Sequence, residues 1–403
     1  MADMAVTAPP TLVLRFADVG VAVYASLRIV GVPGSTVTWV IENAELTALG
    51  DLLADAIPDP RTAESPRAAV ERALTTGSLA TPDAEQRLAG QLGDRLIPSA
   101  GWELIAASAG DELPTLFVTP AARLAQVPWS LLSAPGDQRR LIELADVLMA
   151  APANIANSAR TPSVAAGGAA LLILDPRVPG QRPDSALGSV LGRPDPDSPL
   201  TRYFAALLAE GSVLPEVASA VELFRNADAD RGWLVTQLNR RPARLLFVGH
   251  ATAAEGAVGY ADRAAVHLAD AVPLSAADLM AARLPIPPRA ALLACSSGGD
   301  YRFDEATGLV AALILGGAVL VTATLWSLPT TAGYRQFRSA ADGFADPMAE
   351  TVIAVDTAHR ARDAGRAVSG WQRDQLRRWR SGDVAASPLW WAALATFAVD
   401  GAR

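Results

Sequence analysis

Hydrophobic and polar positions change rhythm along this chain. Leu12, Leu14 and Phe16 alternate with their neighbours, as do Val19, Val21 and Val23, and Pro33-Gly34 marks a turn before Thr36-Val37-Thr38-Trp39-Val40. This period-two patterning predicts two or three antiparallel strands over about 11–41. Leu46, Leu49, Leu52, Leu53 and Ile57 then recur at helical spacing, and a loop with three prolines follows at 58–67.

From about 68 the pattern becomes α/β. Thr81-Pro82-Asp83 predicts a capped helix start, with Leu88, Leu92 and Leu96 on one face. Short apolar runs predict strands at 115–118, 169–174, 244–248, 290–294 and 318–323. Helices are expected at about 199–210, 215–239, 275–283 and 305–315, with Ser275 and Asp278 forming a capping box. The alternation implies a mainly parallel sheet covered by helices. The chain therefore divides into a β-rich amino-terminal segment, 1–67, and an α/β domain, 68–403. A proline- and glycine-rich stretch at 175–200 interrupts the second unit and reads as a tolerated insertion rather than a mobile piece of a site.

One stretch has the length and apolarity of a membrane span, 308–326. Gly316-Gly317 divides it, however, with helical spacing before and β-branched residues after, so a helix followed by a buried strand is expected. Composition narrows the field further. Net charge is -8, which argues against nucleic acid or an anionic membrane as the main partner. All basic residues other than histidine are arginine, consistent with coding bias. The single cysteine allows no internal disulfide, and the first residues lack a signal-peptide pattern, so a cytoplasmic location is expected.

Open α/β sheets bind ligands beyond the carboxyl ends of their strands. His250 follows the run Arg244 to Val248, and Cys295 follows Ala290 to Ala294. If those strands are neighbours, a thiol and an imidazole emerge on one rim, the minimum parts for nucleophilic catalysis. Histidine is needed because the thiolate is the nucleophile and a free thiol is only slightly ionised at neutral pH. The backbone N–H groups of Ala251 and Cys295 would be available to a developing oxyanion. Ser296, Ser297, Gly298 and Gly299 form a small-residue loop that lets a peptide approach.

The motifs resemble those of CHAT domains, caspase-like peptidases related to separases and gingipains. Leu246-Phe247-Val248-Gly249-His250 resembles the family's histidine motif, and Leu292-Leu293-Ala294-Cys295-Ser296-Ser297-Gly298 its cysteine motif. Glu305-Ala306-Thr307-Gly308-Leu309, Gly316-Gly317-Ala318-Val319, Thr324-Leu325-Trp326 and Ser387-Pro388-Leu389-Trp390-Trp391 follow in the family's order. Upstream, Phe117-Val118-Thr119-Pro120 and Val127-Pro128-Trp129-Ser130-Leu131-Leu132 fit as well, so the resemblance covers roughly 80–402. It implies a caspase-like fold and a His250–Cys295 dyad that hydrolyses peptide bonds. It also implies regulation by an activating protein partner, in bacterial defence or signalling. Two departures stand out: Ala251 replaces the glycine usual after the histidine, and helical repeats are missing. These departures motivate the alternative of a catalytically silent scaffold.

Asp300, Asp304 and Glu305 follow the nucleophile and can line an acidic pocket that prefers arginine or lysine before the scissile bond. Trp326, in the leucine-tryptophan motif, is a further candidate for substrate contact. His267 reads as a surface residue of a hairpin strand, and His359 lies in an arginine-rich helix. Three histidines and one cysteine without close spacing give no metal site, and no glycine-rich phosphate loop or Gly-x-Ser-x-Gly elbow appears, so no cofactor is expected. The arginines between 360 and 380, with Trp371 and Trp379 among them, read as a solvated helix rather than a nucleic-acid surface.

Overall fold

The structure, a computed structural model, describes residues 9–160, 163–165, 167–182, 187–252, 261–294, 308–338 and 345–399. The strands are β1 Thr11–Asp18, β2 Ala22–Ile29, β3 Thr36–Glu42, β4 Thr115–Thr119, β5 Asp146–Ala150, β6 Ala170–Leu174 and β7 Val213–Leu214. They continue with β8 Arg244–Val248, β9 Ala251–Thr252, β10 Ala265–Val266, β11 Leu274–Ser275, β12 Arg289–Leu293, β13 Leu320–Thr324 and β14 Leu394–Ala398. Eleven of them form one sheet in the order β3-β2-β1-β4-β5-β14-β13-β12-β8-β6-β7, and β11-β10-β9 form a small second sheet.

The large sheet is built from two parallel blocks. β1, β4, β5 and β14 run together, and so do β13, β12, β8, β6 and β7. The blocks meet antiparallel at β13 and β14. The expected mainly parallel α/β architecture is present. β6, β8, β13 and β14 are buried along their whole length, and β12 from its second residue. Helices over both faces explain why these strands read as unbroken apolar runs.

The amino-terminal strands belong to the same sheet. β1 pairs in parallel with β4, Thr11 opposite Thr115, and antiparallel with β2. Their alternation leaves Leu12, Leu14, Phe16, Val23, Ala25 and Leu27 inside, whereas Tyr24 and Val40 stay exposed on the other face. Val19 and Val21 precede β2 as exposed turn residues; the strand starts only at Ala22.

The divided apolar run also folds as the sequence suggests. Leu309–Leu315 is a helix, Leu320–Thr324 is β13, and Gly317 turns the chain at φ 119°. Among the described residues no helix is long and apolar enough to cross a membrane. The expected helix at 215–239 is not continuous. A short turn of 3-10 helix, Ala220–Leu223, is followed by Arg225 in the left-handed region, and a separate helix, Arg231–Asn239, starts where the Asp230 carboxylate accepts the Trp233 N–H at 2.7 Å. A left-handed residue cannot continue a right-handed helix.

Candidate active site

The carboxyl-end block has the spatial order β7-β6-β8-β12-β13, a doubly wound arrangement that reverses direction between β6 and β8. Ligands of open α/β sheets lie at such a reversal, beyond the carboxyl ends of the strands. His250 stands there, two residues past β8, and is half-buried. β12 is the parallel neighbour of β8, with Leu293 opposite Val248, and the Gly249 N–H donates to the Leu293 carbonyl at 3.3 Å. The two strands thus end side by side. In sequence, Cys295 stands as far past Leu293 as His250 does past Val248.

Cys295 itself lies outside the described residues, as do Asp300, Asp304 and Glu305. The last described residue before it, Ala294, is 4% exposed, and its carbonyl accepts a hydrogen bond from the Thr324 hydroxyl of β13. The approach to the cysteine is therefore held by the next strand.

His250 is held by backbone. Its Nε2 lies 3.0 Å from the Gly188 carbonyl oxygen. A carbonyl only accepts, so this contact fixes the proton on Nε2, and Nδ1 of the neutral ring is left as the basic nitrogen. Gly188 belongs to the proline- and glycine-rich stretch at 175–200, whose composition predicts a tolerated insertion. The described part of that stretch reaches the rim and touches the histidine, so it is more than a tolerated insertion: Asp175, at the end of β6, draws it in through three of its four contacts. Its carboxylate accepts the Ser189 hydroxyl at 2.5 Å, the Val190 N–H at 3.2 Å, the Leu191 N–H at 3.4 Å and an Arg225 N–H at 3.3 Å.

β9 carries Ala251. The His267 N–H donates to the His250 carbonyl at 2.9 Å, and Ala251 stands opposite Val266. Hydrogen-bonded and non-bonded pairs alternate in an antiparallel ladder, so the Ala251 N–H is directed away from β10. His267 is 7% exposed rather than a surface residue, and the Thr252 hydroxyl lies 2.6 Å from its Nε2. Burial, and next the charge His250 can carry, hold His267 below the ordinary imidazole range. Trp326 is 0% exposed, with its indole N–H donated to the Leu389 carbonyl at 3.0 Å. It is a core side chain here and does not present a face to substrate, so it leaves the set of substrate-contact candidates.

The other sequence candidates lie away from this rim. His359 is buried beneath the sheet's middle, 2.8 Å from the Thr322 hydroxyl. The arginine-rich segment is consumed by internal ion pairs: Arg366 and Arg373 with Asp146, Arg378 with Glu350 and Asp383, and Arg380 with Glu143. Among the described residues no cluster suited to a metal ion is found. Asp175, Gly188 and Arg225 were missed in the sequence. The one available signal was Asp175-Pro176 directly after an apolar strand, the same strand-end position that singled out His250.

The family model described as CHAT domain matches residues 86–401. No curated protein resembles the chain closely enough to count as a match. Among solved structures, the chain is similar to those titled as the Saccharomyces cerevisiae separase–securin complex. One shows 10% identity and a TM-score of 0.45, covering 96% of this chain and 30% of that one. A second shows 12% identity and a TM-score of 0.38, covering 89% and 23%. The chain thus spans under a third of each of these two chains.

Proposed function

The chain belongs to the CHAT domain family, and on that premise we propose that it is a regulated cysteine endopeptidase with Cys295 as nucleophile and His250 as base. The observation that carries this reading is the pairing of the β8 and β12 ends, with the His250 ring tied through Nε2 to the Gly188 carbonyl. In this mechanism Nδ1 of His250 takes the Cys295 proton. The thiolate attacks the scissile carbonyl carbon, and the Ala251 and Cys295 amides receive the oxyanion. The His250 proton then passes to the leaving amine, and water releases the acyl group from sulfur. Asp300, Asp304 and Glu305 remain the candidates for a pocket that takes a basic residue.

Regulation is part of the proposal. The loop after the helix Asn43–Ala56 touches the segment leaving β13: Asp59 accepts the Ser327 N–H at 3.2 Å and the Gln126 amide at 3.1 Å. The described part of residues 1–67, read as an accessory unit on the peptidase sheet, therefore has a physical route to the rim through Asp59. An activating protein in the bacterial cytoplasm, acting through that unit, fits this contact. The competing reading is a silent scaffold.

Incubating the purified chain with a peptide library, alone and with a lysate of the source cells, separates the two. The peptidase reading expects new amino termini that vanish with Cys295→Ala and with His250→Ala. Equal cleavage by Cys295→Ala contradicts it.

A further inference from the structure

The clamp on Gly188 has more structure than a loop anchor needs. Asp175 is 0% exposed, and its partner Arg225 is largely covered, with 17% of its side chain accessible. A buried charge pair is a costly way to hold a loop, since apolar side chains of similar volume do so at least as well. Both residues also stand in the left-handed region, Asp175 at φ 52° and Arg225 at φ 55°. Only five non-glycine residues in the described chain do so, and these two face each other across the end of β6. Each is tied by backbone there: the Asp175 N–H donates to the Val248 carbonyl at 2.6 Å, and the Arg225 N–H donates to the Leu174 carbonyl at 3.1 Å. Backbone held in a sparsely populated region concentrates where a site requires it.

The Arg225 guanidinium makes a second contact from the same nitrogen, Nη1. It donates to the Gly188 carbonyl oxygen at 3.0 Å, the oxygen that also faces His250 Nε2 at 3.0 Å. A carbonyl oxygen has two lone pairs, so both donors can be served at once. The chain of contacts runs from Asp175 to Arg225 to the Gly188 oxygen to His250. Among the described residues His267, through the β9–β10 hairpin, is the titratable group that acts on His250, and the Thr252 hydroxyl lies 2.6 Å from the Nε2 of His267 rather than on His250.

We propose that Asp175 and Arg225 are positioning residues for the histidine: together they fix the Gly188 carbonyl that holds the His250 ring in its Nε2–H form. This rests on the peptidase reading of His250 and Cys295 and adds two residues to it. Neither touches substrate. Asp175 clamps residues 189–191 through its carboxylate, and Arg225 sets the carbonyl's direction. Without either, the carbonyl turns and the ring samples orientations in which Nδ1 no longer serves the thiol.

The sole cysteine gives a readout that needs neither substrate nor activator. Iodoacetamide alkylation of Cys295 is followed by intact mass from pH 5 to pH 10 in the full chain. A thiol assisted by histidine has its midpoint below about 7.5, and an unassisted one near about 8.5. The wild type is expected at the lower value and His250→Ala at the higher. Asp175→Asn, which preserves shape, and Arg225→Gln are expected to move the midpoint most of the way toward His250→Ala. At pH 7 they should slow alkylation about tenfold, the loss of thiolate that a midpoint raised by about one unit brings. Arg225→Lys keeps the charge and one donor and should restore most of the wild-type profile. If Asp175→Asn does not fold, Arg225→Gln and Arg225→Lys decide alone, because Arg225 is partly exposed. Wild-type midpoints in Asp175→Asn and Arg225→Gln, with His250→Ala shifted, overturn the positioning role and leave the dyad standing. An unshifted His250→Ala overturns the dyad, and this inference with it.

Discussion

His250 at the strand-end rim and His359 under the middle of the sheet are the same residue placed in opposite surroundings. His359 sits on the helix Pro347–Arg360, with its Nε2 2.8 Å from Thr322, whose hydroxyl also lies 3.0 Å from that of Thr396. Its Nδ1 is buried without a partner among the described residues, and burial, reinforced by Arg289 and Arg244 against the opposing Asp356, lowers its pKa to about 4. It is a packing residue with a polar edge, kept neutral. His250 is half-buried, with Nε2 committed to a backbone carbonyl and Nδ1 left as the basic nitrogen. On the proposed reading, what separates a structural histidine from a working one is this division of its two nitrogens, together with access to a strand end.

Mutations can break that contrast. The largest effects are expected at the rim: His250→Ala and Cys295→Ala should each cut peptide turnover at least about a thousandfold and barely change the thermal midpoint. Beneath the sheet the order inverts. Arg244 and Asp356 form a buried ion pair at 2.8 Å, and the Tyr203 hydroxyl donates to the same carboxylate at 2.8 Å. Asp356→Ala leaves the guanidinium uncompensated and should cost about 3–5 kcal/mol of stability, read by denaturant unfolding. Burial, and after it the charge of Asp356, also hold the Tyr203 phenol up at about 12.

Acid should act through His359. Its folded pKa is depressed, so the unfolded chain binds the proton more tightly. Its contribution is complete above about 6.5 and declines as pH falls toward about 4, a loss of about 3 kcal/mol. His359→Gln should flatten the fall of the thermal midpoint between those values; an unchanged slope assigns the acid sensitivity elsewhere. The smallest effect is expected on the open face of the amino-terminal strands. Val40 is 44% exposed, and Val40→Lys should change stability by less than about 0.5 kcal/mol.

The architecture was legible because its signals are local. Alternation at Leu12, Leu14 and Phe16 marks a one-sided strand, unbroken runs such as Leu245 to Val248 mark two-sided ones, and Gly316-Gly317 separates helix from strand. His250 was legible by its place at a strand end. The clamp was not, because Asp175, Gly188 and Arg225 are scattered in sequence and meet only through the reversal between β6 and β8. Arg225 was hidden inside an expected helix, since its left-handed backbone has no signature in an arginine. Trp326 misled for a related reason: its motif marks a strand end, but the indole turns inward to the Leu389 carbonyl.

The central claim is that His250 activates Cys295 for attack on a peptide carbonyl. Its most direct test is the site of covalent capture by a peptidyl acyloxymethyl ketone carrying arginine next to the warhead, located by tandem mass spectrometry in the native full chain. The account predicts one adduct, on Cys295, lost in His250→Ala and on denaturation. Labelling that persists undiminished in His250→Ala or in the denatured chain would contradict it.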